Sequence, residues 1–252
     1  RIFFIEHRGY FNRPGLYGEA GVDYADNAYR FALFSRACVA ALPRVAKVPM
    51  LVHAHDWHTA LAAVYLRGVP GVEVPAEPVT PVLSVHNPGY QGHFPAELVP
   101  ELGLPWSLFN FTQLEWYGQL NLLKGGLVFS DFVVTVSPTQ AEELRTPGGG
   151  FGLHDVFREL GGRLVGVLNG IDHSVWDPVN DPQITRPYTS EALEGKRRCK
   201  AVLQRTFALP QRKRPAMRLI GRPRCWCGSS SSWRAALDWG GSQAGIGSRG
   251  LL

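Results

Sequence analysis

Four short apolar runs, rich in β-branched residues, each stop at a polar or glycine-bearing string, and this repeated pattern restricts the chain to few folds. Residues 48–53 lead into His55-Asp56-Trp57-His58, and residues 79–85 into His86-Asn87-Pro88-Gly89-Tyr90-Gln91-Gly92. Residues 132–136 stop at Ser137-Pro138, and residues 164–168 at Asn169-Gly170-Ile171-Asp172. Continuous apolar runs of this length suit strands of a parallel sheet covered on both faces, since alternation disappears when neither face meets water. Helical spacing fills the gaps. Residues 23–42 place Ala28, Phe31, Ala32, Ser35, Cys38, Val39 and Leu42 on one stripe. Ser137, Pro138 and Gln140 read as an N-cap, a first-turn proline and a capping-box partner. A further helix, rich in Lys and Arg, is predicted over residues 191–207. Alternation of strand and helix predicts an α/β fold with a doubly wound parallel sheet.

Composition narrows the class. The chain has 252 residues, of which 45% are hydrophobic and 19% charged, enough apolar content for a core and too much for disorder. Cys38, Cys199, Cys225 and Cys227 make no disulfide scaffold, which fits a reducing compartment. No apolar run reaches the roughly 20 residues of a membrane helix. Residues 1–6 read as a strand without a preceding Met, so the start is expected to lie inside a domain. The net charge of +5 hides a segregation: residues 1–195 carry 13 basic and 20 acidic side chains, whereas residues 196–252 carry 13 basic and one acidic, Asp238. Aromatics do not interleave with that basic tail on a regular face, so a solvated cationic tail is expected and no nucleic-acid partner.

Ligands of open α/β sheets bind beyond the carboxyl ends of the strands. His55 to His58, His86 to Gly92 and Asn169 to Asp172 would all stand at that edge. Taken singly, Asn169-Gly170 is an ordinary tight turn and His86 a capping or core histidine. Several polar strand ends in one sheet carry the functional reading. One alternative is a metal-dependent hydrolase, with His53, His55 and His58 converging on zinc beside Asp56. Its order departs from the His-x-His-x-Asp-His element of metallo-hydrolases, with Trp57 where the aspartate should stand. Cys225 and Cys227 lack a second pair.

Longer strings point elsewhere. Phe11-Asn12-Arg13-Pro14-Gly15-Leu16-Tyr17-Gly18, Asp26-Asn27-x-x-Arg30-Phe31 and His53-Ala54-His55-Asp56-Trp57-His58 are succeeded by His86-Asn87-x-x-Tyr90-Gln91-Gly92-x-Phe94 and Leu104-Pro105-Trp106. Then come Asn121-x-x-Lys124-x-Gly126, Thr135-x-Ser137-Pro138-Thr139 and Val167-Leu168-Asn169-Gly170-Ile171-Asp172-x-x-x-Trp176-x-Pro178. In order and spacing this resembles the N-terminal half of bacterial glycogen synthases and plant starch synthases. The resemblance implies a Rossmann-like lobe of a two-lobed GT-B glycosyltransferase. It implies retaining transfer of glucose from ADP-glucose to the non-reducing end of an α-1,4-glucan, with no cofactor or metal. It carries His86 and Asn169 to the transferred glucose, near its 6-hydroxyl, and Asp56 and His58 to the acceptor side. Tyr17 would stack on glucan, Tyr90 and Gln91 would bind substrate, and Trp57 and Trp106 would pack.

The same resemblance divides the chain into an acceptor-side catalytic domain, residues 1–209, and a hinge remnant with a basic low-complexity tail, residues 210–252. The family's Lys-x-Gly-Gly-Leu loop lies before Arg1, Pro88 and Gly89 vary its histidine motif, and after Arg222 the likeness stops. The stretch beyond Arg222 reads as an out-of-frame translation or a wrongly ended gene. A chain of one lobe is expected not to transfer glucose by itself, which leaves a non-catalytic glucan-binding remnant as a further alternative. The implied location is the cytoplasm, or a plastid in a plant.

Overall fold

A computed structural model describes residues 1–45, 49–67, 69–76 and 78–211; the expectations for the tail from Arg222 and for Cys225 and Cys227 lie outside them. The chain divides into two compact units, Arg1–Gly170 and Ile171–Leu252. In the first, α1 (Arg8–Phe11), β1 (Gly18–Glu19) and β2 (Val22–Asp23) precede the long helix α2 (Asn27–Val45). Next come β3 (Met50–His55), α3 (Asp56–Leu66), β4 (Val79–Val85), β5 (His93–Pro95), α4 (Leu98–Glu101), β6 (Glu115–Trp116), β7 (Gln119–Asn121) and α5 (Leu122–Phe129). β8 (Phe132–Thr135), α6 (Pro138–Leu144), α7 (His154–Glu159) and β9 (Leu164–Gly166) complete it. The second unit contains α8 (Glu194–Thr206), close to the helix expected over residues 191–207.

The main sheet is parallel, in the order β3-β4-β8-β9. Its register pairs Ala54 with Leu83, Leu83 with Val133 and Val133 with Leu164, a row that is buried throughout. Sequential order with right-handed crossovers places α3, α5 and α6 on that face. On the other face the predicted burial holds in β4, at Val82 and Ser84, and fails in the flanking strands, where Leu51 is 60%, Phe132 48% and Val165 42% exposed. The fold is α/β, with a Rossmann-like parallel sheet.

Apolar spacing explains the helices. α3 buries Trp57, Ala60, Leu61, Ala62, Ala63, Val64 and Tyr65, so it is apolar nearly all round, as a helix enclosed by neighbours must be. Gly126 of α5 permits its closest approach, since a Cβ there would lie 2.6 Å from the Ala60 Cβ. In α2 the predicted stripe is buried at Ala28, Phe31, Ala32, Ser35 and Val39. That helix begins at Asn27, later than predicted, because Asp23 pairs in β2 with Gly18. Ser137 Oγ accepts from the Gln140 backbone N–H at 2.9 Å, the expected cap. Gln140 Oε1 accepts in turn from Val136 N–H, one residue before the position a capping box uses. Arg1 to Glu6 form no strand. No neighbour pairs with them among the described residues, and Ile2 and Phe4 are exposed.

Candidate active site

Parallel register collects the polar strand ends on one edge. β3 ends at His55, two residues later than expected, so His53 and His55 both lie in the strand and share a face. The chain then turns directly into α3 at Asp56, whose φ of 56° is left-handed, a conformation in which a residue other than glycine is strained. The turn has a use. Asp56 Oδ1 accepts the backbone N–H of His86 at 2.7 Å, tying the end of β3 to the end of β4.

His86 makes a second contact: its Nε2 lies 3.1 Å from His55 Nδ1, with the two rings inclined by 15°. His53 Nε2 stands 2.8 Å from Ser84 Oγ, and its ring centroid is 4.3 Å from that of His55. Burial, and then the neighbouring His53 and His86, push the His55 imidazole below its ordinary range.

His58 points to a different set of neighbours. It stacks on Tyr17 with ring centroids 4.6 Å apart and meets Phe31 edge-on at 4.8 Å. Burial pushes its pKa down to about 4, against smaller opposing effects of Asp56 and Asp23, so the ring is neutral at physiological pH. The zinc reading is therefore corrected: the imidazoles of His53, His55 and His58 turn to Ser84, His86 and Tyr17. Among the described residues no group of three or more potential ligands converges.

Residues 86–92 form the next wall. Asn87 Oδ1 accepts from Gly89 N–H at 3.0 Å, and Asn87 O from Tyr90 N–H at 3.3 Å. Gln91 is buried with both ends of its amide engaged. Nε2 donates to Pro88 O and Phe151 O, each at 2.9 Å, while Oε1 accepts from Asn121 Nδ2 at 2.8 Å and lies 2.9 Å from His93 Nε2. Tyr90 is 45% exposed. Tyr24, Trp57, Tyr90 and Phe151, with Asp23 and Asn27, wall a cavity of about 550 Å³.

Gly92 closes this loop against α3. It has φ +66°, and a Cβ there would come within 2.4 Å of the Trp57 ring.

Asn169 lies three residues beyond β9 and is exposed. β9 stands two strands from β4, a separation of roughly 10 Å at ordinary strand spacing. β8 stands between those two strands, and among the described residues no hydrogen bond joins Asn169 to the end of β4. The structure thus brings Asp56, His86 and His55 into contact and joins Tyr17 to His58. It sets Tyr90 and Gln91 along an adjoining wall and Asn169 further along the same edge. Sequence reasoning had His55 as a metal candidate; extending the strand by two residues would have paired it with His53 and aimed it across the edge. Asn121, which braces Gln91, carried no signal beyond its place in a motif.

Residues 1–159 match the starch synthase catalytic domain family. The chain is 43% identical over 222 residues to a glycogen synthase of Koribacter versatilis, covering 88% of this chain and 46% of that one. To a glycogen synthase of an Anaeromyxobacter species it is 44% identical over 223 residues, 88% of this chain and 47% of the relative. It spans about half the length of these curated relatives. Among solved structures, the catalytic domain of starch synthase IV from Arabidopsis thaliana, bound to ADP and acarbose, matches with a TM-score of 0.58 and 32% identity. That match covers 77% of this chain and 40% of the other. No helix among the described residues is long and apolar enough to cross a membrane.

Proposed function

The chain belongs to the starch synthase catalytic domain family, and on that premise we propose that it carries the acceptor-side half of a retaining glucosyltransferase. The donor is ADP-glucose, and the acceptor is the non-reducing end of an α-1,4-glucan. Residues 1–209 form this catalytic domain. The reaction belongs in the cytoplasm, or in a plastid if the source is a plant.

One observation carries the reading: Asp56, held on a left-handed backbone, fixes the His86 backbone with its carboxylate at the carboxyl edge of the sheet. Transfer from a nucleotide sugar passes through an oxocarbenium-like state, in which the sugar must be held by groups that need no reorganisation. His86 and Asn169, each just beyond a strand at the carboxyl edge of the sheet, contact the glucose being transferred. Asp56 acts by holding His86. Tyr17 and the neutral His58 offer a stacked aromatic surface to the glucan, and Tyr90 adds a second ring beside the cavity. Gln91 takes part as the brace of its loop, since its amide is spent on the chain itself. The starch synthase IV relative, bound to ADP and acarbose, supports this assignment of ligand classes.

Titration of the chain with ADP-glucose and with maltoheptaose tests the reading. His86→Ala is expected to weaken ADP-glucose binding about 5- to 150-fold, the loss of a hydrogen bond worth roughly 1–3 kcal/mol. Asn169→Ala should weaken it too, less than additively in the double variant, because both act on one ligand. Tyr17→Ala should weaken maltoheptaose alone. Failure to bind either ligand rejects the proposal. Glucan binding without ADP-glucose binding favours a non-catalytic glucan-binding protein.

A further inference from the structure

The His55–His86 contact fixes more than the position of a ring. Two imidazole nitrogens 3.1 Å apart share one proton, so one donates and the other presents a lone pair. Nε2 of His86 is thereby engaged inside the protein, while its backbone N–H is given to Asp56. Of the two ring nitrogens of His86, Nδ1 remains to meet a ligand.

His55 is itself braced. Its backbone N–H donates to Thr59 Oγ1 at 2.6 Å, and that hydroxyl donates back to His55 O at 2.7 Å. On its other side lies the ring of His53, held by Ser84.

We propose that His55 is a positioning residue, which holds His86 through Nε2 and leaves Nδ1 as the atom that meets the sugar. The inference rests on the sugar-binding role of His86 proposed above. In the arrangement proposed, His55 Nδ1 carries the shared proton, so neutral His86 has its own proton on Nδ1 and donates it to a sugar oxygen.

Long-range proton–nitrogen spectra of the full chain, labelled at the histidine nitrogens, test this at neutral pH. The expected result is a single His86 tautomer with Nε2 hydrogen-bonded. His55→Ala should let the ring average between tautomers. His55→Asn, whose amide reaches the place of Nδ1, should restore the single form, and His55→Gln, whose amide reaches the place of Nε2, should not. A purely structural role would not separate Asn from Gln. Averaged tautomers in the wild-type chain overturn the inference without any variant, as does a His86 spectrum that His55→Ala leaves unchanged in a folded protein. Added maltoheptaose or ADP-glucose should move Nδ1 and leave Nε2 in place; movement at Nε2 alone counts against the inference. A single tautomer that neither ligand perturbs rejects the sugar-binding reading and leaves the ring-holding role intact.

Discussion

His58 shows how one side chain ties stability to pH. Tyr17, Phe31 and Trp57 surround it, and burial depresses its folded pKa from 6.5 to about 4. Between those values the unfolded chain binds a proton that the folded chain refuses. The stabilisation is complete above pH 6.5 and is lost as pH falls toward 4. Its upper limit is about 3 kcal/mol, from 1.36 kcal/mol per pKa unit, and partial exposure of the ring reduces it. Urea midpoints measured from pH 7 to pH 4 should fall with acidity, and His58→Phe should flatten that part of the curve. An unchanged slope in the variant would remove His58 as the cause.

Helix α2 works as an anchor for the segment that carries Tyr17. Arg30, 2% exposed, donates to Tyr10 O at 2.8 Å, Leu16 O at 3.0 Å and Asn27 Oδ1 at 2.6 Å. Asn27 Nδ2 donates to Tyr17 O at 2.8 Å. One carbonyl of α1 and two of the loop after it are thus satisfied from one helix, and Arg13 with Asp26 closes the loop at 2.6 Å. Arg30→Met keeps the volume and abandons two carbonyls and an amide oxygen. Charge-assisted hydrogen bonds of this kind are worth roughly 1.5–3 kcal/mol each in favourable sites, without simple additivity. A loss of about 3 kcal/mol in urea unfolding is expected, with weaker maltoheptaose binding as Tyr17 loosens. Wild-type stability would show that water replaces the cation at no cost. Lys124 does the same for another loop, donating to Phe111 O and Glu115 O.

At the scale of the molecule, the sheet has two unequal faces. Leu83 lies on the face covered by helices and is fully buried, whereas Leu51, on the opposite face of the neighbouring strand, is 60% exposed. Leu83→Ala should cost about 2–5 kcal/mol and Leu51→Ala within about 0.5 kcal/mol, compared by urea midpoints. Equal losses would mean that the exposed face is covered in solution. Much of this architecture was legible in the chain. The run at residues 79–85 gave β4 to the residue, because a fully buried strand has no reason to alternate. Ser137-Pro138-x-Gln140 marked the start of α6, since caps depend on neighbours a few residues away. Motif strings located Asp56, His86 and Tyr17. Four things were not legible: the shift of β3 to Met50–His55, the exposure of Leu51, Phe132 and Val165 on one sheet face, the failure of Arg1 to Glu6 to pair, and the partners of His53, His55 and His58. Each depends on which segment lies alongside, and a strand is completed only by another strand. Sequence determined which residues would be apolar, capped or turned. The packing of β3 beside β4 and of α2 over α3 decided that three closely spaced histidines face three different neighbours, because a strand projects side chains to fixed faces and a helix starting at Asp56 turns His58 away from both.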